Sequence, residues 1–494
     1  MPANPYLDFD LRFRREGDGY CAEVLQSPAG TARQAFGRPF SELELENYLL
    51  KIGQRASGMR RADTPESRAA REFGGRLYEA VFAGGLLECF RASSDAAKQQ
   101  QAGLRVRLWF DGTPELADLP WEYLYQPQQR QFLALSKETP VVRHLELADT
   151  KKPLAVKPPL RALVVVSTPE DQDPLDVQHE LRKLHEAVKD LEERGLLVLE
   201  PLPTATLDAL QRQLRKADYH IFHFIGHGAF DARSQESVLL FEDDRRRSNP
   251  VSGHDLGVYL RDEATLRLAL LNACEGARAA RHDPFAGAAQ ALVLKGVPAV
   301  IAMQFAVSDT AAITFAHGFY SALADGFPVD AALAEARKSI FARGNAVEWG
   351  TPVLSLNAPD GRIFDVDTSG VETTAARLAR LLDEARAGRT AGDWTRCAAK
   401  AEAVLALEAD HAEAKPLLAA ALRAREAEKT FGEGVDHVET GRWAEAVAAF
   451  ERVEQELPGF KDTAARVKAA RRKLEDARRG PPPGKTPPPP TDSR

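Results

Sequence analysis

Short apolar runs alternate with amphipathic stretches between residues 160 and 355, and this alternation limits the possible folds more than any other feature. Residues 163–167 form a valine-rich run, and residues 181–191 then place leucine and valine at helical spacing. Further strand-like runs follow at 196–199, 219–225, 238–241, 266–271 and 299–303, with helical stretches between them. Such alternation predicts an α/β domain with a mostly parallel sheet and helices on both faces.

The regions on either side of this core differ from it in pattern. Residues 1–150 combine an alternating segment at 7–14, a helical stretch at 71–90 and a strand-like run at 104–110, which predicts an α/β N-terminal region. Lysine and proline are concentrated at 151–159, which favours a linker. The predicted divisions are an N-terminal region, a sheet domain, a helical domain and a proline-rich disordered tail, at residues 1–150, 155–366, 371–478 and 479–494.

The helical, alanine-rich domain contains two similar segments. One begins at Gly392-Asp-Trp394 and the other at Gly441-Arg-Trp443, and a helix break followed by another helix comes after each. The two tryptophans are 49 positions apart, whereas tetratricopeptide repeats have a period of about 34 residues. We therefore expect a tetratricopeptide-like segment with an extra helix or a degenerate repeat, in which the tryptophans pack between helices.

Composition excludes several classes of partner. Hydrophobic residues make up 44% and charged residues 28% of the 494 residues, and the net charge is -7, so neither nucleic acid nor an anionic membrane is expected to bind. The first residues form neither a basic nor an apolar signal region, and no apolar run is long enough to span a bilayer. Four scattered cysteines argue against disulfides and a zinc site. A cytoplasmic protein with no cofactor and no metal is expected.

Two strand-like runs end abruptly in a reactive side chain next to glycine. The run 220–226 leads into His227 and Gly228, and the run 266–273 leads into Cys274. Parallel strands end at one carboxyl edge, where open α/β sheets place their functional sites. Strands that are neighbours in the sheet would bring His227 and Cys274 together.

This pair has the composition of a peptidase dyad. The thiolate is the nucleophile, and an adjacent imidazole can take the thiol proton and return it to the leaving amine. The backbone N–H groups of Gly228 and Cys274 are candidate donors to the developing oxyanion. Glycine at 228 lets the substrate carbonyl approach that amide closely.

The motifs around the dyad resemble those of a known family. Asn272-Ala-Cys274-Glu-Gly276 is similar to the Gln-Ala-Cys-x-Gly signature of caspases, and 47 positions separate Cys274 from His227, near the roughly 50 of caspases. A closer resemblance is to the bacterial CHAT domain, over roughly residues 100–360. The segments that carry it are Leu119-Pro-Trp-Glu122, His223-Phe-Ile-Gly-His227-Gly228, Leu271-Asn-Ala-Cys274, Lys295-Gly-Val-Pro298 with the apolar run to Met303, and Trp349-Gly-Thr-Pro-Val-Leu354.

The resemblance implies a caspase-like fold and a regulated cysteine endopeptidase that cleaves a protein partner, in bacterial defence or cell-death-like signalling. The helical repeats would bind the substrate, an activating protein or a defence complex. Relatives that cleave after arginine or lysine, such as the metacaspases, carry aspartate two residues before the cysteine, where this chain has Asn272. A neutral amide does not neutralise a buried cation. Asn272 is therefore assigned to the substrate pocket, with little preference for a basic residue before the cut.

Other interpretations stay open at this point. The chain could be a non-catalytic scaffold in which the caspase-like domain only binds, although a scaffold has no use for an intact dyad, and an amidase acting on small molecules would use the same two residues. His220 and His223 are expected to be structural, and no metal-ligand spacing supports a zinc site. Asp231 and a backbone carbonyl are the candidates for orienting His227. Residues 242–250 are expected to form an exposed loop.

Overall fold

The computed structural model describes residues 5–479, except 53–63, 111, 146, 148–149, 174, 232–235, 274–285, 306, 346, 368, 370–373 and 409–410. The chain divides into two compact units, Met1–Val371 and Glu372–Arg494. The second unit is all-helical, as the sequence predicts for this part of the chain.

Strands and helices are interspersed along the described part of the first unit, and helices make up that of the second. The strands are β1 (Tyr6–Glu16), β2 (Gly19–Gln26), β3 (Arg33–Phe36), β4 (Gly103–Phe110), β5 (Tyr125–Gln126), β6 (Gln131–Phe132), β7 (Val141–His144), β8 (Leu154–Val156), β9 (Leu160–Val166), β10 (Leu197–Pro201), β11 (Ile221–Gly226), β12 (Gly228–Asp231), β13 (Glu236–Glu242), β14 (Ser248–Ser252), β15 (Leu268–Ala273), β16 (Ala299–Met303), β17 (Pro352–Leu356) and β18 (Phe364–Val366). The α-helices are α1 (Glu42–Ile52), α2 (Pro65–Val81), α3 (Gly84–Gln99), α4 (Pro114–Ala117), α5 (Val177–Glu193), α6 (Leu207–Leu214), α7 (Gly253–Leu260), α8 (Ala286–Leu294), α9 (Asp309–Ala324), α10 (Val329–Ala342), α11 (Thr374–Ala391), α12 (Trp394–Leu407), α13 (Ala414–Glu439), α14 (Trp443–Glu456) and α15 (Thr463–Arg479).

One large mixed sheet organises the first unit. Among the described residues it has eleven strands in the order β10-β9-β11-β15-β16-β17-β7-β4-β1-β2-β3. The pairs from β10 to β16 are parallel, as are β17 with β7, β7 with β4 and β4 with β1, whereas β17 runs antiparallel to β16. The predicted fold class, an α/β protein with a mostly parallel sheet, is therefore confirmed.

Alternating side chains of the central strands are buried on both faces of the sheet. On β11, Phe222 and Phe224 belong to a core formed with α6, α7 and α8. On the same strand, Ile221 and Ile225 belong to a second core with α5 and α9. Burial on both faces explains why these strands read as continuous apolar runs in the sequence.

The N-terminal residues extend this sheet, because β7 joins both parts. It pairs with β4 on one side and with β17 on the other, so strands from residues 1–150 and from 155–366 share one hydrogen-bonded sheet. The alternating segment at 7–14 lies in β1, which forms an antiparallel hairpin with β2. The helical stretch expected at 71–90 is instead two helices, α2 and α3, separated near Gly84, whose φ of +50° is in the region that favours glycine.

The segment expected to be a linker is partly a strand. Residues 154–156 form β8, which pairs in parallel with β18 from the end of the first unit. The short pairing supplies hydrogen bonds to a segment that the prolines and lysines of 151–159 had indicated as irregular.

A buried ion pair within the N-terminal residues also contacts the loop after β16. Glu122 accepts from Arg143 Nε (3.3 Å) and Nη2 (3.0 Å), and Gln304 Nε2 donates to the same carboxylate at 3.1 Å. Arg143 also donates to the carbonyl oxygens of Ala117 and Leu119. Glu122 is 1% exposed, so this contact is made away from water.

Consecutive helices pack in sequence within the second unit. Each of α11 to α15 contacts the next, and the core between them is built largely from alanine, leucine and phenylalanine. Trp394 and Trp443 each open a helix two residues after a glycine with positive φ, Gly392 (+72°) and Gly441 (+73°). The tryptophans are 49 residues apart because the 26-residue helix α13 lies between them. None of the helices described is long and apolar enough to span a membrane.

Candidate active site

The two strands that lead to the predicted dyad are neighbours in the sheet. β11 pairs in parallel with β15, and the register runs from Ile221 opposite Leu268 to Gly226 opposite Ala273. His227 follows Gly226 directly in the chain, and Cys274 follows Ala273 directly. Cys274 itself lies outside the described residues. The two strands are therefore neighbours, which is the arrangement that a pairing of His227 with Cys274 requires.

The imidazole of His227 is buried and held through one of its nitrogens. The residue is 7% exposed, and Nε2 lies 2.9 Å from the backbone oxygen of Asp173. A carbonyl oxygen can only accept a hydrogen bond, so this contact assigns the proton of the neutral ring to Nε2. Nδ1 then carries the lone pair and is the ring atom that can accept a proton.

The group that orients His227 is therefore a backbone carbonyl, one of the two candidates that the sequence left open. Asp173 lies in the segment that follows β9, the strand next to β11 in the sheet. Asp231, the other candidate, is at the end of β12 and pairs with Glu236 of β13. Side-chain identity does not determine a backbone hydrogen bond, so no sequence motif could have singled out Asp173.

The backbone on both sides of His227 is fixed by close packing and hydrogen bonds. The carbonyl of His227 accepts from Leu240 N at 2.9 Å. A Cβ atom at Gly226 would lie 2.9 Å from Phe224 Cζ and 3.1 Å from Ser167 O, so a larger residue before the histidine would require both neighbours to shift. Gly228 begins β12, opposite Leu239 of β13. These contacts leave little freedom in where the strand end presents the imidazole.

Asn272 lies on β15 opposite Ile225, two residues before Cys274. The residue is half-buried, and its Oδ1 is shielded from solvent without a hydrogen-bond partner in the part of the chain that the structure describes. An unpaired buried acceptor costs free energy, about 1–3 kcal/mol. The oxygen is thus available to a donor that enters from the carboxyl edge of the sheet.

The histidine in β11, His223, and the one directly before it, His220, make structural contacts. His223 is buried, and its Nδ1 lies 2.9 Å from the hydroxyl oxygen of Tyr320 on α9. Burial lowers the pKa of His223 to about 4. His220 Nδ1 accepts from Arg161 N at 2.9 Å, and burial, with Arg161 nearby, lowers its pKa as well. Both are neutral at pH 7 and satisfy hydrogen bonds inside the fold, as expected for structural histidines.

The segment expected to be an exposed loop at 242–250 is the turn of a hairpin. β13 and β14 pair antiparallel from Val238–Ser252 to Glu242–Ser248. Asp243 Oδ1 accepts from the backbone N–H groups of Arg245 and Arg247, both at 2.8 Å, which closes the turn. The arginine side chains at its tip are exposed.

Two further findings bear on alternative chemistry at this site. Among the described residues, no group of three histidine, cysteine, aspartate or glutamate side chains is placed to hold a metal ion. Cys21, Cys89 and Cys397 are all buried, and burial raises the pKa of the Cys397 thiol.

Comparison with protein families gives a match to the CHAT domain over residues 71–355, more than half of the chain. The chain belongs to the CHAT domain family. The resemblance inferred from the sequence motifs is therefore confirmed, and the matched residues include the strands of the site from β9 to β17. No curated protein matches the chain.

Two solved structures match the chain at low similarity. A crystal structure of the Saccharomyces cerevisiae separase–securin complex matches with 11% identity and a TM-score of 0.39, over 71% of this chain and 30% of that one. A crystal structure of the Arg-specific cysteine proteinase gingipain R matches with 12% identity and a TM-score of 0.32, over 65% of this chain and 75% of that one. This chain thus spans less than a third of the separase–securin chain that it matches.

Proposed function

We propose that this CHAT-family chain is a cysteine endopeptidase that cleaves a protein partner with Cys274 as nucleophile and His227 as general base. The observation that carries the proposal is the end of β11, where a buried imidazole is fixed by Asp173 O beside the strand that leads into Cys274. In the neutral form of the ring, whose Nε2–H donates to this carbonyl, Nδ1 carries the lone pair that a general base requires.

The chemistry then follows in two steps. Nδ1 takes the Cys274 thiol proton, and the thiolate attacks the scissile carbonyl, whose oxyanion accepts from the backbone N–H groups of Gly228 and Cys274. Nδ1–H gives its proton to the leaving amine. Water next attacks the thioester with His227 as base, which releases the acid product and restores the thiol. The Nε2–H bond to Asp173 O holds the ring in place through both steps.

Substrate selection is proposed to involve Asn272. Asn272 is two residues before Cys274 in the chain, and its Oδ1 has no hydrogen-bond partner among the described residues, so in this proposal it faces a substrate side chain near the nucleophile. A neutral acceptor can bind a polar donor but does not offset the charge of a buried arginine or lysine. We therefore expect faster cleavage after uncharged residues than after basic ones.

The helical unit is proposed to bind the protein substrate or an activating partner, and the whole chain to act as a regulated cytoplasmic peptidase in bacterial defence or cell-death-like signalling. Its cores are formed by its own helices, separately from those of the first unit. Such a unit provides a recognition surface without altering the sheet. No binding of nucleic acid or membrane is included in this proposal.

The test compares wild type with Cys274→Ala, each expressed with its neighbouring gene products, by mapping new protein N-termini. Products present with wild type and absent with Cys274→Ala are expected, and their sequences give the specificity. The matched control is Cys89→Ala, which removes a buried thiol outside the site and should leave the products unchanged. An electrophilic thiol probe should label Cys274 in preference to Cys21, Cys89 and Cys397. No products together with no selective labelling would favour a non-catalytic scaffold.

A further inference from the structure

The carbonyl that orients His227 belongs to a segment that is attached to the β13–β14 hairpin. We name residues 167–173 the β9 loop, since they follow β9. At its start, Ser167 Oγ donates to the carbonyl of Leu240 at 2.6 Å, and the N–H of Leu240 donates to the carbonyl of His227. The hairpin therefore contacts both the strand end that carries His227 and the loop that carries Asp173.

Further along the β9 loop, the contacts with the hairpin continue up to the residue before Asp173. Thr168 N donates to Glu242 Oε1 at 3.0 Å, and Glu170 N donates to Arg246 O at 2.8 Å. Arg246 Nε also lies 3.7 Å from Glu170 Oε1, and two further residues of the loop contact Ser248. Its N–H and its hydroxyl both donate to Asp171 Oδ1 at 2.8 Å, and Gln172 Nε2 donates to its Oγ at 3.1 Å.

Asp171 contributes one of the two carboxylates in these contacts, and Glu242 contributes the other. The two hydrogen bonds from Ser248 lower the pKa of Asp171, with a smaller contribution from Arg247, so the side chain is a carboxylate at neutral pH. Hydrogen bonds to a carboxylate are stronger than those between neutral groups. The Oδ1 atom therefore holds the β9 loop two residues before the carbonyl that accepts from His227.

We propose that Asp171 is a positioning residue for His227, because it fixes the β9 loop on Ser248 and so places the Asp173 carbonyl at the imidazole. The inference rests on the proposed function, since it concerns how the general base is held. Asp171 is exposed and distant from the cores, so its removal should alter the site much more than the stability of the fold.

The experiment measures how fast iodoacetamide alkylates Cys274 as a function of pH, in the full-length chain, with the Cys274 peptide quantified by mass spectrometry. In this reaction the thiolate displaces iodide, so the rate follows the thiolate fraction. A well-held imidazole should give wild type an apparent thiol pKa well below the ordinary value of about 8.5. In Asp171→Ala the profile should move toward 8.5, with a rate at pH 6.5 at least about tenfold lower.

Two further variants test whether the side-chain acceptor is responsible. Asp171→Asn keeps an Oδ1 acceptor and should retain most of the wild-type profile. Ser248→Ala removes one of the two donors and should produce a smaller shift in the same direction. Asp367→Ala is the matched control: Asp367 Oδ1 accepts from Ser369 N at 3.0 Å in an exposed turn elsewhere, and its pKa is lowered by the same kind of contact. This variant should leave the profile unchanged.

The outcomes separate this inference from the proposed function. A shift in Asp171→Ala with recovery in Asp171→Asn supports the positioning role. A depressed pKa in wild type that neither Asp171→Ala nor Ser248→Ala changes overturns the inference and leaves the dyad intact. An ordinary thiol profile in wild type overturns the dyad, and the inference with it. If Asp171→Ala also lowers the melting temperature, Ser248→Ala takes its place in the comparison with Asp171→Asn. A shifted profile in Ser248→Ala with a retained profile in Asp171→Asn then supports the inference, and an unshifted profile in Ser248→Ala overturns it.

Discussion

Replacing Glu122 with alanine should destabilise the first unit, because it leaves Arg143 as a buried cation without its carboxylate. Arg143 and Glu122 side chains are 8% and 1% exposed and their closest atoms are 3.0 Å apart. Removing one partner of such a pair costs about 3–5 kcal/mol. Arg143 keeps two carbonyl acceptors, at Ala117 and Leu119, so we expect the lower end of this range, about 3 kcal/mol.

This loss corresponds to a modest change in melting temperature, because the unit is large. Met1–Val371 would unfold with an entropy of about 0.8 kcal/mol/K at roughly 2.1 cal/mol/K per residue. A loss of about 3 kcal/mol then lowers the melting temperature by about 4 °C. Urea unfolding followed by near-ultraviolet circular dichroism, together with calorimetry, measures both quantities.

The controls separate burial from simple loss of an ion pair. Asp95→Ala removes a pair with Lys98 that is 3.8 Å long and mostly exposed, and it should change stability by less than about 0.5 kcal/mol. Glu122→Leu combined with Arg143→Met removes both charges and should be more stable than Glu122→Ala alone. A cost below about 1 kcal/mol for Glu122→Ala, or a double variant no better than the single one, would refute the reasoning.

Two further predictions concern Asn272 and His223. In fluorogenic peptides, Asn272→Asp should raise the ratio of cleavage after arginine to cleavage after an uncharged residue at least about tenfold. Asn47→Asp, at an exposed position on α1, is the control. An unchanged ratio in Asn272→Asp would place Asn272 outside the pocket. Burial lowers the pKa of His223 to about 4, so its contribution to stability is complete above pH 6.5 and is lost as the pH falls toward 4. Between pH 7 and pH 5 the unfolding free energy should therefore fall by about 2 kcal/mol less in His223→Gln than in wild type. The control, His317→Gln at an exposed position, should lose as much as wild type. Equal acid sensitivity in both variants would contradict this.

The pattern of side chains along the chain predicts the order of the elements and the ends of the two strands at the site. Apolar runs bounded by glycine predict β11 and β15 because strands buried on both faces need apolar side chains at every position. Helix starts are also set by local contacts: the hydroxyls of Thr206 and Ser252 accept from backbone N–H groups at the first turns of α6 and α7. Such signals are local, so they are visible in the chain before it folds.

Contacts between segments that are distant in the chain are visible only in the folded protein. β7 joins the N-terminal strands to β17, Arg143 pairs with Glu122, and Asp173 O reaches the His227 ring. Each of these contacts depends on the order of strands in the sheet or on a backbone atom that every residue possesses. A pattern of side chains carries no information about either, so the orientation of the proposed base became visible only when the chain was folded.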